Sequence, residues 1–160
     1  MDTTPVPRFA VVIPARYESA RFPGKPPGYL LGSGGLAKPL IKRSWEAAVS
    51  SCAARQVWVA TGDPRIAEAV RSFGGQVVMT SGRCRNGTER CAEAIGEIPD
   101  CPDIIVNLQG DAPLTPSSLP GRLASFDAAD PSAAMGTPAL RCSPSTYRHL
   151  VEDSAAGRVG

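Results

Sequence analysis

Residues 13 to 25 read Ile-Pro-Ala-Arg-Tyr-Glu-Ser-Ala-Arg-Phe-Pro-Gly-Lys and set three fixed cations, Arg16, Arg21 and Lys25, directly after an apolar segment. That combination suits a polyphosphate. Arg16 and Arg21 each offer a planar fork of donors to phosphate oxygens, Lys25 adds a point charge, and Gly24 lets backbone approach a ligand closely. The same charges would also make a solvated basic loop. A second candidate is Gln109-Gly110-Asp111, where an isolated carboxylate follows an apolar run and stands close to Pro113. A hard cation such as Mg²⁺ is typically held by one or two carboxylates together with substrate phosphates and waters, which Asp111 could supply; it could equally cap a turn. Gln109 is suited to hydrogen-bond a polar substrate or to satisfy the turn's backbone. The third candidate is Cys84-Arg85-Asn86-Gly87-Thr88-Glu89-Arg90. A helix starting there presents free N–H groups and small hydrogen-bonding side chains, able to read a nucleobase edge or hold an anion. Taken alone, Asn86, Thr88 and Glu89 read better as helix caps.

These candidates need elements to position them. Phe9 to Ile13 is a short apolar run, as expected of a strand covered on both faces, and it puts Arg16 beyond the carboxyl end, where open α/β sheets bind ligands. Ile41, Trp45, Ala48 and Cys52 recur on one face of a helix beginning near Pro39. Val57 to Thr61 reads as a second buried strand. Asp63-Pro64 then supplies an N-cap and first-turn proline to a helix with Ile66, Val70 and Phe73 inward, closed by Gly74-Gly75. Val77 to Thr80 is the third strand. Asn86 and Glu89 form a capping pair for a short helix whose inner face is Cys91, Ala92 and Ile95. Ile104 to Leu108 is the fourth strand, followed by a helix with Leu119, Leu123 and Phe126 on one side. The Gly-rich piece from 28 to 35 reads as a flexible surface loop, and the tail from Met135 carries little pattern. Strand and helix alternate four times, so the expected fold class is α/β, one domain over 1–160, with a mostly parallel sheet and helices on both faces.

Composition sets the outer limits. Hydrophobic residues are 42% and charged residues 20% of the 160, which is ordinary for a globular chain, while 16 Gly and 16 Pro imply many loops. A net charge of +2 argues against nucleic acid or an anionic membrane as partner. No apolar run reaches membrane-spanning length and the start lacks a signal-peptide pattern, so a soluble, cytoplasmic protein is expected. The five cysteines are odd in number and contain no Cys-x-x-Cys pair, which fits reduced thiols better than disulfides or a zinc site. The single histidine, His149, lies in a polar stretch with no nearby second ligand and reads as a surface or cap residue.

Four segments in one order, Ile13 to Lys25, Gly74 to Thr80, Asn86 to Arg90 and Val106 to Asp111, resemble the 3-deoxy-manno-octulosonate (Kdo) cytidylyltransferase family, the CMP-Kdo synthetases. The resemblance covers roughly residues 9 to 160. It implies a nucleotide-diphospho-sugar transferase fold, GT-A-like and Rossmann-like, and a reaction of CTP with Kdo and Mg²⁺ that gives CMP-Kdo and pyrophosphate for lipopolysaccharide assembly. Carried over residue by residue, it implies that Ala15, Arg16, Ser19, Arg21 and Lys25 meet the triphosphate, with Arg16 and Lys25 catalytic alongside Asp111. It implies that Asn86, Gly87 and Thr88 lie on the cytidine side, that Gln109 faces the sugar, and that Asp111 is the metal ligand. Three departures stand out: Ala112 where the family commonly has Glu, Ala37 where it commonly has Gly, and a longer loop from Gly28 to Ala37. Family members run to roughly one and a half times this length, so a C-terminally truncated member is expected, with the second metal carboxylate, further sugar contacts and a homodimer interface belonging to the absent part. The alternatives within reach are a relative using another nucleotide or acidic sugar, and a non-catalytic nucleotide-binding fragment.

Overall fold

The strand from Phe9 to Ala15, β1, is buried along its whole length, which is possible only if both of its faces and both of its edges are covered. The computed structural model of the protein, which describes residues 7–17, 29–31, 35–52 and 54–157, puts β1 in the interior of a four-stranded parallel sheet. The remaining elements, in chain order, are β2 (Tyr29–Leu31), β3 (Ala37–Pro39), α1 (Leu40–Val49), β4 (Val57–Thr61), α2 (Pro64–Ser72), β5 (Gln76–Met79), α3 (Gly87–Ile95), β6 (Ile104–Asn107), α4 (Leu119–Ala129) and α5 (Pro144–Ala155). The sheet order is β5-β4-β1-β6, with Ile13 opposite Val59 and Val11 opposite Val106.

Alternation along β1 explains how two helical layers form on one strand. Val11 and Ile13 point to the face where Ile41 and Ala48 of α1, Ile66 and Val70 of α2, and Ala124 of α4 gather. Val12 points the other way, with Ala60 and Val78, onto Cys91, Ala94 and Ile98. From β1 the chain winds outward through β4 to β5, then returns past β1 to β6. Crossovers between parallel strands are right-handed, so this reversal sends α3 to the opposite face from α1, α2 and α4. The reversal also creates a switch point between β1 and β6, outside whose carboxyl ends a ligand crevice forms.

The expected α/β architecture is therefore present, and four local expectations need correction. The inner face of α3 is Arg90, Cys91 and Ala94, with Ile98 just beyond; Ala92 and Ile95 lie outward. In α4 the buried residues are Pro120 and Ala124, and Phe126 is 73% exposed, so the face turned to the core is not the one its large apolar residues suggest. The Gly-rich stretch carries an antiparallel pair, β2 with β3, which Arg43 fastens to α1 by donating to the carbonyls of Leu30 and Leu36 at 2.8 and 3.0 Å. The tail holds α5, capped by Ser143 and with no buried residue. Among the described residues no helix is long and apolar enough to cross a membrane.

Candidate functional site at the switch point

The β1 strand ends at Ala15, whose methyl is packed in the core, and Arg16 emerges exposed immediately after it. Arg16 Nη1 reaches the carbonyl of Arg85 at 3.4 Å, which brings the start of the basic run to the turn that opens α3. Tyr17 is held beneath the guanidinium of Arg65, 3.3 Å from the ring centroid. Arg65 is itself bound by Asp63, the N-cap of α2, whose carboxylate also accepts the Arg65 N–H at 2.9 Å. These bonds from Arg65 hold the Asp63 carboxyl below its ordinary range. Ser19, Arg21 and Lys25 lie outside the described residues.

The other two candidates meet β1 from either side. A Cβ built on Gly87, the first residue of α3, would lie 3.1 Å from Pro14 Cγ and 3.2 Å from Gln109 Oε1, so helix start, β1 exit and β6 exit are in contact at one glycine. Close approach recurs at Gly110, where an added Cβ would sit 3.0 Å from the Pro14 carbonyl oxygen. Buried Ser44 of α1 donates to the Gly110 carbonyl at 2.8 Å and so fixes the backbone just before Asp111, which is exposed. Gln109, also exposed, donates from Nε2 to Asn107 Oδ1 at 2.9 Å.

Asn86 caps α3 by accepting the Glu89 N–H at 2.9 Å, as its pattern suggests. Glu89 reaches back to the backbone N–H and Nε of Arg85 at 2.8 and 2.9 Å, and this pairing lowers its pKa. The turn is thereby fixed while Thr88 stays exposed, facing with Gln109 and Asn107 into a groove of about 510 Å³ along the outer edge of β6. Among the described residues no group of three or more His, Cys, Asp and Glu is arranged to hold a metal ion. One exposed carboxylate at a strand exit nevertheless fits an ion that keeps waters and takes phosphate oxygens, as Mg²⁺ does.

Arg16, Asn86, Gly87, Thr88, Gln109 and Asp111 thus share one end of the sheet, as the residue types suggest. Sequence reasoning missed Ser44, Arg65 and the Tyr17 ring beneath it. Ser44 carries a weak signal, a polar residue inside the apolar stripe of an amphipathic helix; nothing local marks the Arg65 and Tyr17 pairing.

Comparison with known proteins bears on family and fold. The family described as cytidylyltransferase matches residues 10–142. A 3-deoxy-manno-octulosonate cytidylyltransferase of Maricaulis maris is 44% identical over 146 residues, which is 91% of this chain and 54% of that protein. The mitochondrial enzyme of the same description from Arabidopsis thaliana is 50% identical over 67% of this chain and 35% of its own length. The structure of a CMP:2-keto-3-deoxy-manno-octonic acid synthetase complexed with CTP superposes with a TM-score of 0.69 at 38% identity, over 78% of this chain and 49% of that one. A Leptospira borgpetersenii cytidylyltransferase, 23% identical with a TM-score of 0.61 over 79% of this chain and 51% of that one, supports the fold alone. The chain spans about half the length of the Maricaulis relative and of the CTP-bound structure. With a family match running from the second residue of β1 to just before α5, over a parallel sheet of the same fold, the chain belongs to the cytidylyltransferase family.

Proposed function

We propose that this chain binds CTP at the switch point and is the nucleotide-binding part of a transferase that moves CMP onto Kdo, releasing pyrophosphate. The observation that carries the proposal is the contact of Pro14, Gly87 and Gln109, three residues from separate segments meeting where a doubly wound sheet accepts ligands. In this reading Arg16, with Ser19, Arg21 and Lys25 and the backbone at Ala15, takes the triphosphate. Asn86, Gly87 and Thr88 at the amino end of α3 take the cytidine, and Gln109 takes the sugar. A Kdo hydroxyl attacks the α-phosphorus, the bond to the bridging oxygen breaks, pyrophosphate leaves, and the hydroxyl proton passes to solvent. The protein's contribution is to position the two substrates and to stabilise phosphate charge, without a covalent enzyme intermediate. Asp111 would hold Mg²⁺, which when bound neutralises charge on the phosphates. The pathway served would be lipopolysaccharide assembly, in the cytoplasm, with a homodimer formed by the full family length.

The test is thermal unfolding with each of the four nucleoside triphosphates and Mg²⁺, followed by pyrophosphate release on addition of Kdo. A ligand bound only by the native state at 100 times its dissociation constant adds about 2.7 kcal/mol. CTP is expected to stabilise more than ATP or GTP. Equal shifts for all four would remove the cytidine assignment, and pyrophosphate release that does not depend on Kdo would remove the acceptor.

A further inference from the structure

The Asn86–Arg90 run ends in a residue to which the proposed chemistry gives no part. Arg90 is 6% exposed and is the only buried charged side chain among the described residues. A cation out of water is costly unless it is hydrogen-bonded, so its burial calls for a reason. Its Nη1 donates to the hydroxyl of Thr80, the residue following β5 and itself buried. The same nitrogen would stand 3.3 Å from a Cβ on Gly62, the residue following β4, which is pressed so close to the Thr80 carbonyl that the Cβ would come within 2.9 Å of it. One helical turn further, Glu93 accepts from the Ser81 hydroxyl at 2.8 Å and from the Cys84 thiol at 3.1 Å. The inner side of α3 is thus tied to the exits of β4 and β5. Its first residue, Gly87, touches the exits of β1 and β6.

We infer that Arg90 is a positioning residue: its guanidinium locks α3 against the ends of β4 and β5 and so sets where Asn86, Gly87 and Thr88 stand relative to Pro14 and Gln109. It acts on a bound base through the helix, without touching ligand. The inference rests on the nucleotide reading above for its effect on binding, and on the geometry alone for the lock. A rigid planar fork and its acceptor hydroxyl are what the lock needs; a positive charge is not sufficient.

Two substitutions in the whole chain test this: Arg90→Lys, which keeps the charge and loses the fork, and Thr80→Val, which removes the acceptor at nearly constant volume. The readouts are amide hydrogen exchange at Glu89 to Cys91 without nucleotide, and the ratio of CTP to ATP affinity by calorimetry with Mg²⁺. Each substitution is expected to quicken exchange at those amides by about tenfold, the scale of a lost hydrogen bond from a charged group, with β1 amides unchanged. The CTP-to-ATP ratio is expected to shrink, and the double variant to be no worse than the poorer single one. Unchanged exchange at Glu89 to Cys91, equal quickening in β1, or additive effects in the double variant would overturn the inference. A wild-type chain with no preference for CTP would sink the nucleotide reading, and the exchange data would still decide the lock. Should Arg90→Lys fail to fold, Thr80→Val alone carries the same expected and overturning results.

Discussion

Gly87 is where three segments converge, and nothing about it in the sequence says so beyond its place after an N-cap. Its neighbours at 3.1 and 3.2 Å leave too little room for a methyl unless Pro14 or Gln109 gives way by a few tenths of an ångström. Alanine is otherwise the better helix residue, so Gly87→Ala is expected to leave the melting temperature unchanged or slightly raised. Calorimetry should show CTP affinity down by about tenfold, the scale set by small misplacements at a ligand site. Unaltered affinity would mean that the contact with Gln109 is incidental. What was legible in sequence was position and capping: Arg16 just past the end of β1, Asp111 beyond the end of β6, and Asn86 as the cap of α3. Ser44, Arg65 and Arg90 were not legible as parts of the site, because each works through a partner supplied by another element.

Strands were readable for a physical reason: β-branched, apolar runs such as Val57 to Thr61 have few other ways to be buried. The faces of α3 and α4 were not, because both helices meet the sheet through small residues, Ala94 and Ala124, that apolar counting ranks below Ile95 and Phe126. The β2 and β3 strands have three residues each, too few to show a period, and they are held by Arg43 from another element. Helix α2 gives a test of capping at this scale. Asp63 accepts from the Arg65 N–H and side chain, and Asp63→Ala is expected to cost about 1 kcal/mol at neutral pH. The Arg65 bonds depress the folded-state pKa of Asp63 below the unfolded value near 4. Its contribution is therefore present above that pH and is lost as pH falls through the folded value. Denaturant melts of wild type and variant should accordingly begin to draw together below about pH 4 and meet only below the depressed folded value. A gap that persists in acid would show that packing, and not the carboxylate, carries the effect.

At the scale of the whole molecule, two core clusters sandwich one parallel sheet, and the pairing that completes the site joins Phe9 to Ile104 and Val12 to Asn107, residues far apart in the chain. Closing so large a loop is an entropic cost met before the contacts that reward it, and parallel sheets fold slowly for that reason. The timing of site assembly follows. A crevice that exists only once β1 and β6 lie side by side is absent from the unfolded ensemble and from early collapsed states, so a nucleotide has nothing to grip until the journey is almost over. It should act as a brake on opening and lend no push to folding. Cys91 offers a clock, since burial pushes its thiol up to about 12 and shields it until α3 leaves the sheet. With saturating CTP and Mg²⁺, alkylation of Cys91 in the native protein is expected to slow by at least about tenfold, while refolding from denaturant keeps the same rate with or without nucleotide. If refolding quickens with CTP, the grip forms first, and the nucleotide is a template on which the sheet closes.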